Sequence, residues 1–315
     1  MKIKEINLYK KFNFTWTELL FFGSQKILKP FFHILPDIFH IFLGKIGFTY
    51  LIKNSQNIKF TARCYATNYK ILVRSDYLIE TAAVSILFRS TDVIHILKKL
   101  KINGSILDIG ANSGTISIGA AGLGAKKIYA IEPGLTFGRL VNNIKLNKLE
   151  NVIEAYQIGF AKKEGKMYWA QDFNHPGNAH LINAIDELNL ENLNTNFGSN
   201  KDLIEVKVNT LDNFANEIGI KNLKLIKIDV EGMEWEVIAS GTNLIKSTRP
   251  FVIAETHRTA SEMMNYDCLT KLFYFFYENN YSSFYFDFYE GFKQCVYPNF
   301  KMDTIFIPNE IGKNF

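Results

Sequence analysis

Short apolar runs alternate with longer stretches of helical pattern along most of this 315-residue chain, and this alternation constrains the fold more than any other feature. The runs are typical of strands, and the stretches between them of helices. The predicted strands lie at residues 105–111, 127–133, 151–160, 204–211, 223–230, 249–256, 282–288 and 303–309, and the predicted helices at 114–123, 135–148, 212–219, 232–246 and 260–280. Strands that alternate with helices indicate βαβ units. The sequence therefore predicts an α/β fold, in which a mostly parallel sheet carries helices on both faces.

The segment ILDIGANSGT (106–115) follows the first predicted strand and opens a helix, where this architecture binds nucleotide-like ligands. Gly110 and Gly114 would let the backbone turn sharply and approach a ligand closely. The spacing D-x-G-x-N-x-G differs from the G-x-G-x-x-G of dinucleotide sites, and no lysine follows the second glycine as a phosphate-binding P-loop requires. Asp108 would repel a pyrophosphate, but it could pair with the ammonium group of an amino-acid moiety, directly or through water.

A further acidic residue, Glu132, ends the next predicted strand, 22 residues after Gly110. In a nucleotide-binding α/β fold, a carboxylate at this place accepts hydrogen bonds from the ribose hydroxyls. An acidic residue before the turn, the two glycines and a ribose-binding acid together suit S-adenosylmethionine better than NAD. The sequence thus favours S-adenosylmethionine as the cofactor and S-adenosylhomocysteine as its product.

Five stretches resemble the FkbM-type family of S-adenosylmethionine-dependent methyltransferases. They are ILDIGANSGT (106–115), IYAIEPGLTFGRLVNNIKLNKLENV (128–152), VKVNTLDNF (206–214), LIKIDVEGMEWEVIASG (225–241) and RPFVIAET (249–256). The resemblance implies a class I methyltransferase domain with a Rossmann-like, mostly parallel seven-stranded sheet, and usually O-methylation of a sugar or another hydroxylated small molecule. By this resemblance Asp108, Gly110, Asn112 and Gly114 lie on the cofactor loop, and Glu132 contacts the ribose.

The predicted strand at 223–230 leads into two carboxylates, Asp229 and Glu231, and a glycine follows at which the chain can turn into a helix. Unpartnered charge is costly to bury, but ligands of a doubly wound sheet gather at the carboxyl ends of its strands. Both acids are therefore predicted to lie beside the reactive methyl group and the acceptor. Glu231 has a structural alternative, because a carboxylate near a helix N-terminus is favourable in its own right.

Methyl transfer to a hydroxyl group releases a proton, and a positioned base contributes about 10²–10⁴-fold to such a reaction. We rank Asp229 first as the catalytic residue, then His257 and then His180, with packing or surface roles as the alternative for the histidines. Glu255 and His257 share a face near the end of a predicted strand. Glu231 and Glu255 are predicted to contact the substrate.

A divalent metal is an alternative use of these acids. Asp229, Glu231 and His257 could hold Mg²⁺ or a similar ion that binds a vicinal diol, since hard cations prefer oxygen ligands. The sequence does not require such an ion, and we assign no metal ligand. The three cysteines are scattered without a CxxC or zinc-like spacing, which suits a reducing compartment.

Residues 1–60 differ in composition from the remainder, because they hold nine lysines, three acidic residues and ten of the 27 phenylalanines. Charged residues interrupt every apolar run before the ~20 residues that a membrane span needs. We predict a helical extension over 1–75 and the methyltransferase domain over 76–315. The extension could pack against this domain or a second subunit, and its basic, aromatic character also suits peripheral membrane contact. The expected location is cytoplasmic, with the inner face of the membrane as an alternative.

The leading functional hypothesis is O-methylation of a sugar, glycan or lipid-linked small molecule. A nucleic-acid methyltransferase is disfavoured, because the place of an Asn/Asp-Pro-Pro-aromatic motif reads DVEG and the body has no dense basic run with stacking aromatics. No nucleic-acid partner is therefore expected. Intact Asp108, Glu132 and Asp229 disfavour a non-catalytic binding module, and the glycine spacing disfavours an NAD-dependent oxidoreductase. The acceptor and the oligomeric state do not follow from the sequence.

Overall fold

The computed structural model describes residues 59–63, 70–74, 90–172, 180–182, 201–256, 266–287, 290–298 and 303–312. The strands are β1 (Lys59–Arg63), β2 (Lys70–Arg74), β3 (Ser105–Ile109), β4 (Lys127–Ile131), β5 (Ile153–Tyr156), β6 (Gly159–Phe160), β7 (Gly165–Asp172), β8 (His180–Ile182), β9 (Lys201–Asn209), β10 (Leu223–Ile228), β11 (Phe251–Ala254), β12 (Tyr281–Asp287), β13 (Gly291–Cys295) and β14 (Thr304–Pro308). The helices are α1 (Ser90–Leu100), α2 (Thr115–Gly122), α3 (Phe137–Leu146), α4 (Leu211–Glu217), α5 (Glu234–Ser240), α6 (Thr242–Thr248), α7 (Tyr266–Glu278) and α8 (Asn309–Gly312).

The central sheet has eight strands in the order β13-β12-β14-β11-β10-β3-β4-β5. The five strands from β11 to β5 are parallel to one another, whereas β14 runs antiparallel to both of its neighbours. Without β13, which forms an outer hairpin with β12, this is the predicted seven-stranded, mostly parallel sheet. The chain leaves β3 toward β4 on one side and later returns to β10 on the other. Ligands bind at such a reversal of strand order, at the carboxyl ends of the strands.

The inner strands are apolar on both faces, because helices cover the sheet on both sides. All five residues of β3 are buried, and the four residues of β11 likewise. Alternate strand residues enter two separate cores: Ile106 packs in the core that α1, α2 and α3 cover, and Leu107 in the core beneath α4 to α7. The predicted α/β fold with helices on both faces is therefore confirmed.

A second, four-stranded sheet in the order β6-β9-β7-β8 lies outside the predicted pattern. The run predicted at 204–211 forms β9 of this sheet, and the run at 151–160 divides between β5 and β6. The apolar side chains of Met167, Val206 and Val208 form a small core, against which Met233 packs. Since Met233 belongs to the turn after β10, the second sheet contacts the carboxyl end of the central one.

The stretch predicted as one helix over 232–246 forms two helices, α5 and α6, which meet at Gly241. A Cβ atom at Gly241 would lie 2.4 Å from Cδ2 of Leu211. The close approach of Leu211 therefore requires glycine at this junction.

Within the predicted helical extension, the structure describes β1 and β2, which form an antiparallel ribbon rather than a helix. Residues 1–58 lie outside the described part of the chain, so their predicted helices, membrane contact and domain boundary stay predictions. No helix within the described ranges is long and apolar enough to cross a membrane.

Candidate active site

The glycine loop after β3 is held against the ends of two neighbouring strands. The backbone N–H groups of Gly110 and Ala111 donate to the carbonyl oxygen of Ile131, at 3.0 and 2.9 Å. Gly110 has φ +76°, and a Cβ atom there would lie 1.8 Å from the carbonyl oxygen of Asp229. Both the left-handed conformation and this close approach require glycine. The loop therefore lies directly against the first residue after β10.

Gly114 and Asn112 give the loop its remaining turn, since both have positive φ angles, +88° and +51°. A Cβ atom at Gly114 would lie 2.7 Å from Cδ1 of Leu140 on α3. Asn143 of the same helix donates from Nδ2 to the carbonyl oxygen of Ser113 at 2.8 Å. Helix α3 thus fixes the outer half of the loop, which the sequence motif alone did not indicate.

Glu132, the predicted ribose ligand, is buried and joined to the loop. Its Oε2 accepts the N–H of Asn112 at 2.9 Å, and its Oε1 accepts the N–H of Gly134 at 2.8 Å. Burial raises the pKa of Glu132, and hydrogen bonds from Gly134, Thr136 and Asn112 oppose that rise. A carboxylate offers about four lone-pair positions. The two backbone amides therefore fix the group while leaving acceptor capacity for a ligand hydroxyl.

Asp108 is fully buried at the end of β3. Its Oδ2 accepts a 2.6 Å hydrogen bond from Ser117 Oγ, whereas Oδ1 has no hydrogen-bond partner in the described part of the structure. Burial raises the pKa of Asp108, and the nearby Lys227 ammonium and Ser117 lower it. Because protein covers this carboxylate, contact with a ligand through water fits the structure better than direct contact does.

Asp229, Glu231 and Glu255 come together, and one carboxylate oxygen from each lies within 4.8 Å of the others. Strand pairing explains this, because Ile228 of β10 and Ala254 of β11 are register partners, so the next residues leave the sheet side by side. Burial raises the pKa of Glu255 far above its usual range, and the charge of Asp229 and a hydrogen bond with it add to the rise. Burial and the neighbouring Asp229 therefore both act in the direction of the protonated form of Glu255.

The metal alternative stays a prediction. Among the described residues, Glu255 lies with Asp229 and Glu231 in a group that could hold a metal ion, and His257 lies outside those residues. Hard divalent cations accept such oxygen ligands.

Lys227 is a site residue that the sequence analysis missed. It lies in β10 with a side chain only 6% exposed, and its Nζ is 3.0 Å from Asp229 Oδ2 and 3.8 Å from Asp108 Oδ1. Burial acts to lower the pKa of Lys227, but the carboxylates of Asp229 and Asp108 raise it above its ordinary value. The sequence did contain a signal for this residue, because Lys227 is flanked by Ile226 and Ile228 in a strand that was expected to be buried on both faces.

Glu234 is the second residue that was missed. It is fully buried at the first position of α5, and its Oε1 accepts the N–H groups of Val230 and Gly232 at 3.1 and 3.4 Å. Burial raises the pKa of Glu234 to about 7. Glu234 thus caps the turn after β10, which is the structural role considered above for Glu231.

The two histidines stay predictions. His180 lies in β8, opposite Ala170 in the second sheet, and only its backbone is described. His257 follows the last described residue of that segment, Thr256. Neither can be placed relative to Asp229.

Comparison with known proteins shows the family of this chain. The family model of the methyltransferase FkbM domain matches residues 108–288, which is more than half of the chain. The curated relative "Methyltransferase sdnD" of Sordaria araneosa is 26% identical over 197 residues, covering 55% of this chain and 76% of the relative. Protein arginine N-methyltransferase 6 of Danio rerio is 41% identical over 49 residues, which cover 16% of this chain and 14% of that protein.

Among solved structures, the methyltransferase FkbM from Methylobacillus flagellatus KT matches with a TM-score of 0.41 and 14% identity. The match covers 82% of this chain and 57% of that chain, so this chain spans little more than half of that protein. The fold class rests on the strand order described above. The fold and the matched family model together define a methyltransferase domain. The chain belongs to the FkbM methyltransferase family, as its motifs indicated.

Proposed function

We propose that this protein is an S-adenosylmethionine-dependent O-methyltransferase whose acceptor is a hydroxyl group of a sugar, glycan or lipid-linked small molecule. The observation that carries the proposal is the meeting of Asp229, Glu231 and Glu255 directly beside the glycine loop. Carboxylate oxygens accept hydrogen bonds from hydroxyl groups, and several in one place suit a molecule with neighbouring hydroxyls.

The glycine loop and Glu132 fit the proposed cofactor. Because residue 110 is glycine, the loop has no side chain at the strand ends, where its backbone approaches Asp229 closely. Glu132 lies fixed at the end of β4, where a ribose would be bound. The unsatisfied Oδ1 of Asp108 offers an acceptor to the ammonium group of an amino-acid moiety through water. When bound, S-adenosylmethionine supplies a methyl group already activated on a sulfonium.

The task of the protein is then to orient the acceptor and to take up its proton. Orientation of two reactants can contribute roughly 7–11 kcal/mol to a barrier. The Asp229 side chain is 41% exposed, so an acceptor can reach it, while Lys227 holds Oδ2 and Glu255 forms a hydrogen bond with the same side chain. The hydroxyl proton passes to Asp229 as the acceptor oxygen takes the methyl group.

Cofactor binding tests the first part of the proposal. Calorimetric titration should show micromolar binding of S-adenosylhomocysteine and no binding of NAD. The variant Glu132→Ala should weaken binding tenfold or more, whereas Glu150→Ala, an exposed control, should leave it unchanged. Binding of neither ligand by the folded wild-type protein, or unchanged affinity in Glu132→Ala, would show that the cofactor assignment is wrong.

Product chemistry tests the second part. The protein is incubated with S-adenosylmethionine that carries a labelled methyl group, together with neutral sugars and lipid-linked sugars as acceptors. A methyl ether on a sugar survives alkali, whereas a methyl ester on a carboxyl group is hydrolysed. Label that alkali releases, or that is found in protein or nucleic acid instead, would contradict O-methylation of a hydroxylated small molecule.

A further inference from the structure

Lys227 is the only lysine among the buried side chains of the described residues. Its Nζ lies 3.0 Å from Asp229 Oδ2, 3.3 Å from the carbonyl oxygen of Gly110 and 3.8 Å from Asp108 Oδ1. One ammonium group therefore touches the acid at the end of β3, the glycine loop and the acid after β10. The proposed mechanism uses Lys227 only to hold one oxygen of Asp229.

We propose that Lys227 is a positioning residue for the cofactor site, which holds the glycine loop and Asp108 in the arrangement that receives the amino-acid part of the cofactor. This inference rests on the proposed function. Lys227 would not contact the reacting atoms, but would act through Asp108, Gly110 and Asp229.

Strand pairing places Lys227 where such a role is needed. Lys227 is the register partner of Asp108 in the β10–β3 pair, at the point where the strand order of the sheet reverses. Packing alone would favour an apolar residue here, because Ile226 and Ile228 on either side are buried. A buried ammonium group is costly unless it is paired with good geometry, and here three oxygen atoms pair with it.

The charged groups that act on Lys227 are acidic. They are Asp108 near the end of β3, Asp229 after β10 and Glu255 after β11. Lys227 in turn lowers the pKa of Glu132, which follows β4. Without the ammonium group, the charge of Asp229 would act unopposed on Asp108, which is fully buried and therefore little screened by water. The two strand ends and the Gly110 carbonyl between them would then lose their common anchor.

The residue expected to bind the adenosine part of the cofactor is held in place by contacts that do not involve Lys227. Glu132 is fixed by the N–H groups of Asn112 and Gly134, and Lys227 makes no hydrogen bond with it in the described structure. Loss of Lys227 should therefore impair binding of the amino-acid part of the cofactor more than binding of its adenosine part. General loss of packing would impair both parts alike.

Two ligands and three variants separate these cases. S-adenosylhomocysteine carries the amino-acid moiety, and 5′-methylthioadenosine lacks it. In calorimetric titrations, Lys227→Met should weaken S-adenosylhomocysteine binding tenfold or more and change 5′-methylthioadenosine binding less than twofold. Lys227→Arg, which keeps the charge, should recover most of the lost affinity. Lys224→Met is the matched control, because Lys224 lies on the same strand but is exposed, and it should change neither affinity.

Each remaining outcome overturns the proposal. A parallel loss of both ligands in Lys227→Met would make Lys227 a packing residue, and no loss would show that the ammonium group is dispensable. If Lys227→Met does not fold, Lys227→Gln replaces it, and failure of both to fold would assign Lys227 to stability instead. Failure of the wild-type protein to bind either ligand is a different result from a loss of binding in the Lys227 variants. It would show that the cofactor assignment is wrong, and the positioning role of Lys227 would fall with it.

Discussion

Replacement of Glu234 by glutamine tests how the protein holds a carboxyl group inside the turn after β10. Burial raises the pKa of Glu234 from 4.5 to about 7, so the folded protein holds this proton more tightly than the unfolded chain does. Between pH 4.5 and pH 7 the unfolded state loses the proton first. The free energy of unfolding therefore falls as pH rises through this window.

The magnitude follows from the same two values. A pKa difference of one corresponds to 1.36 kcal/mol, so ionised Glu234 costs about 3 kcal/mol of stability at pH 8. Glutamine keeps an oxygen for the N–H groups of Val230 and Gly232 and cannot ionise. Relative to wild type, Glu234→Gln should therefore gain about 2.5 kcal/mol between pH 5 and pH 8, because the carboxyl group of the unfolded wild-type chain is already largely ionised at pH 5. At pH 5 it should be equal or slightly less stable, because its amide donors are buried.

Urea unfolding of both proteins at pH 5 and pH 8 measures this gain. The stability difference between variant and wild type is measured at each pH, and the two differences are then compared. This comparison cancels the pH-independent cost of burying the amide and the titration of groups that both proteins share. Glu236→Gln serves as the control, since Glu236 lies on the same helix and is partly exposed. A Glu234→Gln difference that is the same at both pH values would refute the reasoning, because it would show that burial does not hold the proton on Glu234.

Three further predictions concern the loop, the proposed base and the amino-terminal segment. Gly110→Ala should abolish S-adenosylhomocysteine binding in calorimetry, because its Cβ atom would lie 1.8 Å from the Asp229 carbonyl oxygen; retained affinity would contradict the described loop. Asp229→Asn should lower kcat about 10²–10⁴-fold with little change in cofactor affinity, and full turnover would remove its role as base. In liposome co-sedimentation, the full chain should pellet with anionic vesicles and a chain lacking residues 1–50 should not; absence of both from the pellet would rule out membrane contact.

The sequence predicted the parts of the fold that depend on local pattern. Runs such as 105–111 and 249–256 are mostly apolar because helices cover both faces of the sheet, so each was identified as a strand. The positions of Asp108, Glu132 and Asp229 followed from the rule that ligands gather at the carboxyl ends of strands. These residues could be assigned without knowing what packs around them.

The second sheet and the two missed charges depend on contacts distant in sequence. The period-two pattern of 204–211 shows that this segment is a half-exposed strand, but it does not show which sheet the strand joins. Lys227 lies in a mostly apolar run that also contains Lys224, and its role depends on Asp108, 119 residues earlier. Glu234 reads as an ordinary helix-start acid, and only the packing of α5 shows that it is fully buried.

The site separates its carboxyl groups into two kinds by their surroundings. Burial raises the pKa of Glu234 and of Glu255, and the charge of Asp229 and a hydrogen bond with it add to the rise for Glu255. Asp229 instead has an ammonium nitrogen at 3.0 Å, and a nearby opposite charge favours the ionised form of a carboxyl group. Carboxyl groups whose environments push them toward opposite protonation states mark a proton donor and a proton acceptor. This contrast, together with its exposure, is the physical reason for preferring Asp229 over its neighbours as the group that receives the acceptor's proton.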